Sequence, residues 1–161
     1  PAFVNSYHLN MVRVDQDGVS FSGLNTQALL ALSSDLSVSE ICSLPRGCHN
    51  AMSHQEGILL NDTAADVVRY VPRSADQVAV PVPTFHVEEL EFRGVDDSRI
   101  ARQGFGRGLC VINDRLIAAG SSPSTVSIID IAAGKRLTAV NLTMDIRNAI
   151  HGLECWPANW G

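Results

Sequence analysis

The sequence predicts an all-β chain assembled from propeller blades, and three observations carry that prediction. The first is internal repetition. Segments 18–32, 57–71 and 115–129 align without a gap, each an apolar run, a small or polar break and a second apolar run. Repetition of this kind builds a fold from copies, and functional residues gather where the copies converge.

The second observation is the period. Upstream of each aligned segment stands a short strand-like string with a polar residue: Tyr7-His8-Leu9-Asn10, Cys48-His49-Asn50-Ala51 and Gly106-Arg107-Gly108-Leu109. A fourth copy, Ile150-His151-Gly152-Leu153-Glu154, follows near the C-terminus. Taking His8, His49, Arg107 and His151 as equivalent gives spacings of 41, 58 and 44 residues, the middle one being a unit plus an insertion over 84–103. A period near 40–45 with four short strands per unit is that of propeller blades.

The third observation is strand character. Apolar runs around Phe21, Leu29, Val68, Tyr70, Val80, Leu109, Val126 and Leu137 are short and rich in β-branched or aromatic residues. Gly, Pro, Asn, Asp and Ser punctuate them every few residues. A helical repeat would need apolar positions at three- and four-residue steps over a dozen residues. Only 26–32 and 149–153 could be read so, and both are too short.

The elements follow in order. The first module is expected at 6–44, with strands over 6–14, 19–23, 28–33 and 38–44. The second runs over 47–83 and the third over 104–142, and 150–157 is read as the opening strand of a further blade. Asp17-Gly18 and Ala133-Gly134 are turn signals. Three modules and one strand do not close a ring, since propellers typically use four to eight blades. The expectation is therefore part of a larger ring, completed by a missing N-terminal half or by a second copy. The segment 84–103, with Glu88, Glu89, Glu91, Asp96 and Asp97, is long for a connection and reads as a lid or docking loop.

Composition bounds the functional classes. The 161 residues are 45% apolar and 18% charged, with net charge −5. That balance leaves no basic footprint for nucleic acid or for an anionic membrane surface. No apolar run reaches the length of a spanning helix. Cys42, Cys48, Cys110 and Cys155 show no zinc-binding spacing and read as small buried thiols of a reducing compartment, hence a cytoplasmic protein. A Cys42–Cys48 bridge across the intervening corner is the competing reading. P-loop, dinucleotide, hydrolase-elbow and His-Glu-x-x-His signatures are all missing.

The chemistry is expected at the convergent positions. Three imidazoles, His8, His49 and His151, meeting on one axis suit a divalent transition metal, or they act as acid/base groups. Against this stands a structural role, in which each histidine hydrogen-bonds the neighbouring blade's backbone. Asn10, Asn50 and Glu154 form a second tier of ligand-binding candidates. Asp62 is either a turn-forming cap or a catalytic carboxylate. Arg107 either anchors an anionic ligand or pairs with Asp62 or Glu154. His54 and His86 fall outside the repeat register and are expected at the surface or in loops.

Six strings also carry a resemblance: His8-Leu9-Asn10, Pro45-Arg46-Gly47-Cys48-His49-Asn50, Asn61-Asp62-Thr63-Ala64-Ala65, Gly104-Phe105-Gly106-Arg107-Gly108-Leu109, Gly120-Ser121-Ser122-Pro123-Ser124, and 147–157, with Asn148-Ala149-Ile150-His151-Gly152-Leu153-Glu154 the most specific. Together they resemble the C-terminal half of an uncharacterised bacterial family with propeller-like repeats, some of whose members occur near tetratricopeptide-repeat proteins. The resemblance implies a longer parent and a prokaryotic origin, and it supplies no activity and no site residues. Two functional classes remain. One is a polar channel that binds a small polar or anionic ligand, extended to metal-dependent lyase or hydrolase chemistry. The other is a non-catalytic scaffold for a protein partner, in which the histidines brace the blades.

Overall fold

The computed structural model describes residues 7–92 and 102–156. It contains three four-stranded antiparallel sheets, each a simple meander. The first holds β1 (Leu9–Asp15), β2 (Gly18–Gly23), β3 (Ala28–Leu32) and β4 (Val38–Ser43). The second holds β5 (Cys48–His54), β6 (Gly57–Asp62), β7 (Val67–Pro72) and β8 (Val78–Pro81). The third holds β9 (Gly106–Val111), β10 (Leu116–Ser121), β11 (Thr125–Asp130) and β12 (Lys135–Asn141). These are the expected modules, with boundaries shifted by a few residues; Ser6, the expected start of the first, lies outside the described residues.

The sheets stack through alternate faces of their strands. Met52, Leu59, Val68 and Val80 of the second sheet pack on Leu109, Ile117, Ala119, Ile129 and Ile131 of the third. Leu29 and Leu44 of the first meet Ala51 and Leu60 of the second. Leu29, Leu59 and Ile117 are fully buried, each contributing about 1.5–3 kcal/mol. The first strand of each sheet lies innermost: β5 packs against both β1 and β9. The pairing of Val12 with Phe21 and of Val14 with Val19 puts all four side chains on the other face of the first sheet. Val12 and Val14 are 63% and 75% exposed there.

The described residues between the second and third sheets carry a 3-10 turn, Val87–Glu89, and an isolated bridge from Glu91 to Asp145. The Gln103 side chain ties back to the Phe85 backbone at 2.8 and 3.3 Å. Asp96 and Asp97, which motivated a lid, lie outside the described residues. Residues 150–156 form no strand. A strand exists only through a ladder partner, and the described residues after Ile150 include no second strand to supply one. Among the described residues no helix is long and apolar enough to cross a membrane.

His54 departs from expectation. It ends β5, is 7% exposed, and meets Tyr70 edge to face at 5.9 Å. Its ring is covered on one side by Tyr70 of β7, a contact across the sheet that repeat register alone does not report. His86 is exposed, as expected. All four cysteines are free thiols, so Cys42 and Cys48 are not bridged. Cys48 and Cys110 are buried, Cys42 is half-buried and Cys155 is exposed.

Candidate functional site

The site is built by a fault repeated in the inner strands. In β5 three steps from His49 to Met52 face two steps of β6, from Asn61 to Leu59. In β9 three steps from Gly106 to Leu109 face two of β10, from Ser121 to Ala119. Each is a β-bulge, and the extra residue bends the strand and re-aims its side chains. Asn50 (φ 54°) and Gly108 (φ 73°) occupy the left-handed region there, which only Gly and Asn enter at low cost.

This register confirms that His49 and Arg107 are equivalent. His49 follows Cys48, which is opposite Asp62, and Arg107 follows Gly106, which is opposite Ser121. The first sheet differs. Leu9 is opposite Gly23, so Asn10 rather than His8 holds the His49 position. His8 lies two residues earlier, before the strand, with φ 45°. It still reaches the same place: the His8 and His49 rings meet edge to face at 6.3 Å between centroids.

Asparagines, more than histidines, tie the inner strands together. Asn50 Oδ1 accepts from the Gly108 N–H at 2.9 Å and from Asn61 Nδ2 at 3.2 Å. Asn61 Nδ2 also donates to the Gly108 carbonyl at 3.2 Å. On the other side the Asn50 N–H donates to Asn10 Oδ1 at 3.2 Å, and Asn10 Nδ2 to the Cys48 carbonyl at 3.3 Å. His49 joins this stitching through Nδ1, 2.9 Å from the Thr63 hydroxyl, which donates to the Gly106 carbonyl at 3.2 Å.

Arg107 stands at the junction of the inner strands and the C-terminal segment. Its Nη1 is 3.5 Å from His151 Nε2, and the guanidinium lies 5.3 Å from the centre of the Phe105 ring. Its Nε is buried without a hydrogen-bond partner. Among the described residues the other half-buried arginines each hold a carboxylate: Arg13 pairs with Asp15, Arg69 with Asp62 and Arg102 with Asp66. No described residue forms an ion pair with Arg107.

Electrostatics follow from this placement. Burial pushes the His49 imidazole down to about 4, and the Arg107 charge acts the same way, as do His8 and His151 more weakly; a backbone contact with Gly47 opposes them. His151 is also lowered, by burial and then by Arg107. Burial lowers Arg107 itself, yet a guanidinium stays charged. Near neutral pH the Arg107 charge is thus flanked by the uncharged rings of His49 and His151.

Beside it runs a groove of about 520 Å³ between the inner strands and the C-terminal segment. Asn10, Arg13, Asn50, Cys110, His151 and Glu154 are among its lining residues. Its size suits a small metabolite. His151 belongs to both features, lining the groove and touching Arg107.

Asp62 does not join this locus. Paired residues of an antiparallel ladder share a face, so Asp62 lies with Cys48, and His49 lies with Asn61 on the opposite face. The Asp62 carboxylate takes Arg69 Nη2 at 2.8 Å and accepts from the Ala65 N–H at 3.3 Å, which is the turn-capping role. Among the described residues no three His, Cys, Asp or Glu side chains are placed to hold a metal ion.

Sequence reasoning missed Thr63, Phe105 and the Asn50–Asn61–Gly108 bracing. A signal for the last was present: Asn50 and Gly108 share a repeat position, and the two residue types have left-handed backbone in common.

No protein-family model matches the chain, and no curated protein matches it, so the family resemblance rests on its strings alone. Among solved structures it is similar to selenomethionine-substituted virginiamycin B lyase from Staphylococcus aureus, with a TM-score of 0.52 and 8% identity over 89% of this chain. The match covers 43% of that protein, so the chain spans less than half its length. At this identity the likeness concerns the fold alone: a partial, propeller-like array of blades.

Proposed function

We propose that the junction of the inner strands binds a small carboxylate-bearing ligand, with Arg107 as the anchor and His151, His49 and His8 around it. The observation that carries this reading is the half-buried Arg107 guanidinium without a carboxylate among the described residues, where Arg13, Arg69 and Arg102 each have one. A desolvated guanidinium gains most from a planar anion that it can grip with two N–H groups. The adjoining groove, with Asn10, Asn50 and Glu154 on its wall, would take the polar remainder of the ligand, such as the hydroxyls of a sugar acid.

The same geometry supports abstraction of the proton next to the carboxylate, which in an elimination forms the double bond as the β-substituent leaves with its bonding pair. A carboxylate on Arg107 would bring the proton on its α-carbon toward His151, the ring nearest the guanidinium. An imidazole whose affinity for protons is lowered is in its free-base form at neutral pH, as a general base requires. The lyase in the name of the similar structure belongs to that protein, and fold likeness does not transfer chemistry. Because the histidines are not placed as a metal-binding set, this reading assigns them no metal.

Isothermal titration with galacturonate, malate, pyruvate and inorganic phosphate tests the proposal. At least one carboxylate should bind, and Arg107→Gln should weaken it by about tenfold or more, the worth of one charge-assisted pair. Absence of binding by every carboxylate, or equal binding by Arg107→Gln, overturns it. One observation favours a second reading, a scaffold: buried His49 is hydrogen-bonded to Thr63, which holds the third sheet. On that reading His49→Ala melts earlier while no variant alters binding of any small ligand.

A further inference from the structure

The C-terminal segment follows the inner strand of the third sheet. Ile150 N–H donates to the Ser121 carbonyl at 3.3 Å. A methyl group built on Gly120 would come within 2.6 Å of Ile150 Cβ, and one on Gly108 within 2.9 Å of the Ile150 carbonyl oxygen and 3.3 Å of the Gly152 nitrogen. The two glycines therefore let the segment lie directly on β9 and β10. Beyond Gly152 it carries exposed Cys155 beside Cys110 of β9. Cys110, Gly152, Leu153 and Glu154 all line the groove.

We propose that Cys110 and Cys155 form a reversible disulfide that pins residues 150–155 along β9 and so fixes one wall of the groove. The oxidant is a low-molecular-weight disulfide such as oxidised glutathione. Exposed Cys155, as thiolate, attacks it, forming a mixed disulfide and releasing one glutathione thiolate. The Cys110 thiolate then attacks the Cys155 sulfur, forming the protein disulfide and releasing the second glutathione. Two protein thiols are oxidised, one small disulfide is reduced, and the two protons lost by the protein thiols end on the two released glutathione thiolates. Cys155 is the entry point because it is exposed, whereas Cys110 is buried and donates to the Val111 carbonyl at 3.6 Å. Desolvation, and Cys155 beside it, raise the Cys110 thiol to about 11, so the second step is the slow one and accelerates with pH.

His151 and Glu154 lie on the pinned segment, so the linkage to ligand binding rests on the carboxylate-site reading above. The disulfide itself does not. The test equilibrates the full chain in glutathione redox buffers, blocks free thiols and maps tryptic peptides without reduction. The expected product joins the peptide ending at Arg115 to the one beginning at Asn148, is missing in Cys155→Ser and Cys110→Ser, and is reversed by dithiothreitol. Amide exchange at 150–154 should slow by about tenfold on oxidation. Glutathione retained on Cys155 with Cys110 free, or a Cys42–Cys48 product instead, overturns the proposal. Titration of both forms with galacturonate, malate and pyruvate separates the two readings. A disulfide with no ligand bound in either form sinks the carboxylate site alone, and equal affinity in both forms sinks the linkage.

Discussion

Asn50 is the residue on which the junction of the three sheets turns, and replacing it separates two energetic terms. Its side chain is buried, accepts from the Gly108 N–H at 2.9 Å and from Asn61 Nδ2 at 3.2 Å, and donates to the Asn10 carbonyl at 3.4 Å. Asn50→Ala strands the Gly108 N–H and weakens the Asn61 amide, at about 1–3 kcal/mol for a buried group left unpaired. It also forces an L side chain without local hydrogen bonding to hold φ 54°, at about 1 kcal/mol more. The expected loss is about 2–4 kcal/mol, a large share of a typical domain's 5–15 kcal/mol. Asn50→Gly forfeits the same hydrogen bonds without the left-handed penalty, so it should lose about 1 kcal/mol less. That order is the reverse of what an ordinary strand position gives, where Gly is worse than Ala. Urea unfolding followed by far-ultraviolet circular dichroism measures both. Losses below about 1 kcal/mol, or Ala more stable than Gly, would refute the bulge-and-brace argument.

Other consequences are as direct. His49 binds protons less readily folded, near 4, than unfolded, near 6.5, so the unfolded state takes up a proton first. Stability should therefore fall as pH drops from about 6.5 to 4. The full shift is worth about 3 kcal/mol, reduced to about 2 by screening at the ring's open edge; His49→Gln should flatten that part of a urea-midpoint profile, and an unchanged slope would contradict it. Gly120→Ala would meet the Arg107 carbonyl of β9 as well as Ile150, so it should speed amide exchange across 150–154 and at the β9–β10 ladder while leaving β5–β8 protected. Asp62→Asn should cost about 2 kcal/mol, because Arg69 loses the partner of a largely buried pair, yet leave carboxylate binding intact. Loss of binding in that variant would return Asp62 to the site.

The architecture was legible because strand pattern and turn chemistry are local. The Asp17-Gly18 turn, the short apolar runs within 57–62 and 67–72 and the repeat period each pointed to the sheets that form. The ungapped alignment failed by single residues where loops differ. Residues 122–124 join β10 to β11 with one residue fewer than 63–66 join β6 to β7, so Asp62 matches Ser121 rather than Gly120. The His8 equivalence failed for the same kind of reason: spacing counts residues along the chain, whereas position in a sheet is set by ladder partners. Among the site residues, Arg107 was recognisable as a repeat position, whereas His151, singled out by the same spacing, stands in no strand. That Arg107 would lack a carboxylate was not recognisable, because Asp62 is claimed by Arg69 across a hairpin. Contacts such as Phe105 under Arg107, and Thr63 between His49 and Gly106, depend on how two sheets stack, which no single repeat encodes.

The central claim is that the heads of the inner strands and the C-terminal segment meet, placing Arg107 among His49 and His151. Imidazole titrations followed by NMR in the wild type and in Arg107→Gln test it directly. Removing the positive charge should raise the titration points of both His49 and His151, and leave His54, whose depression comes from burial and then Arg13, where it was. A folded Arg107→Gln variant in which His49 and His151 titrate as in the wild type would contradict the convergence.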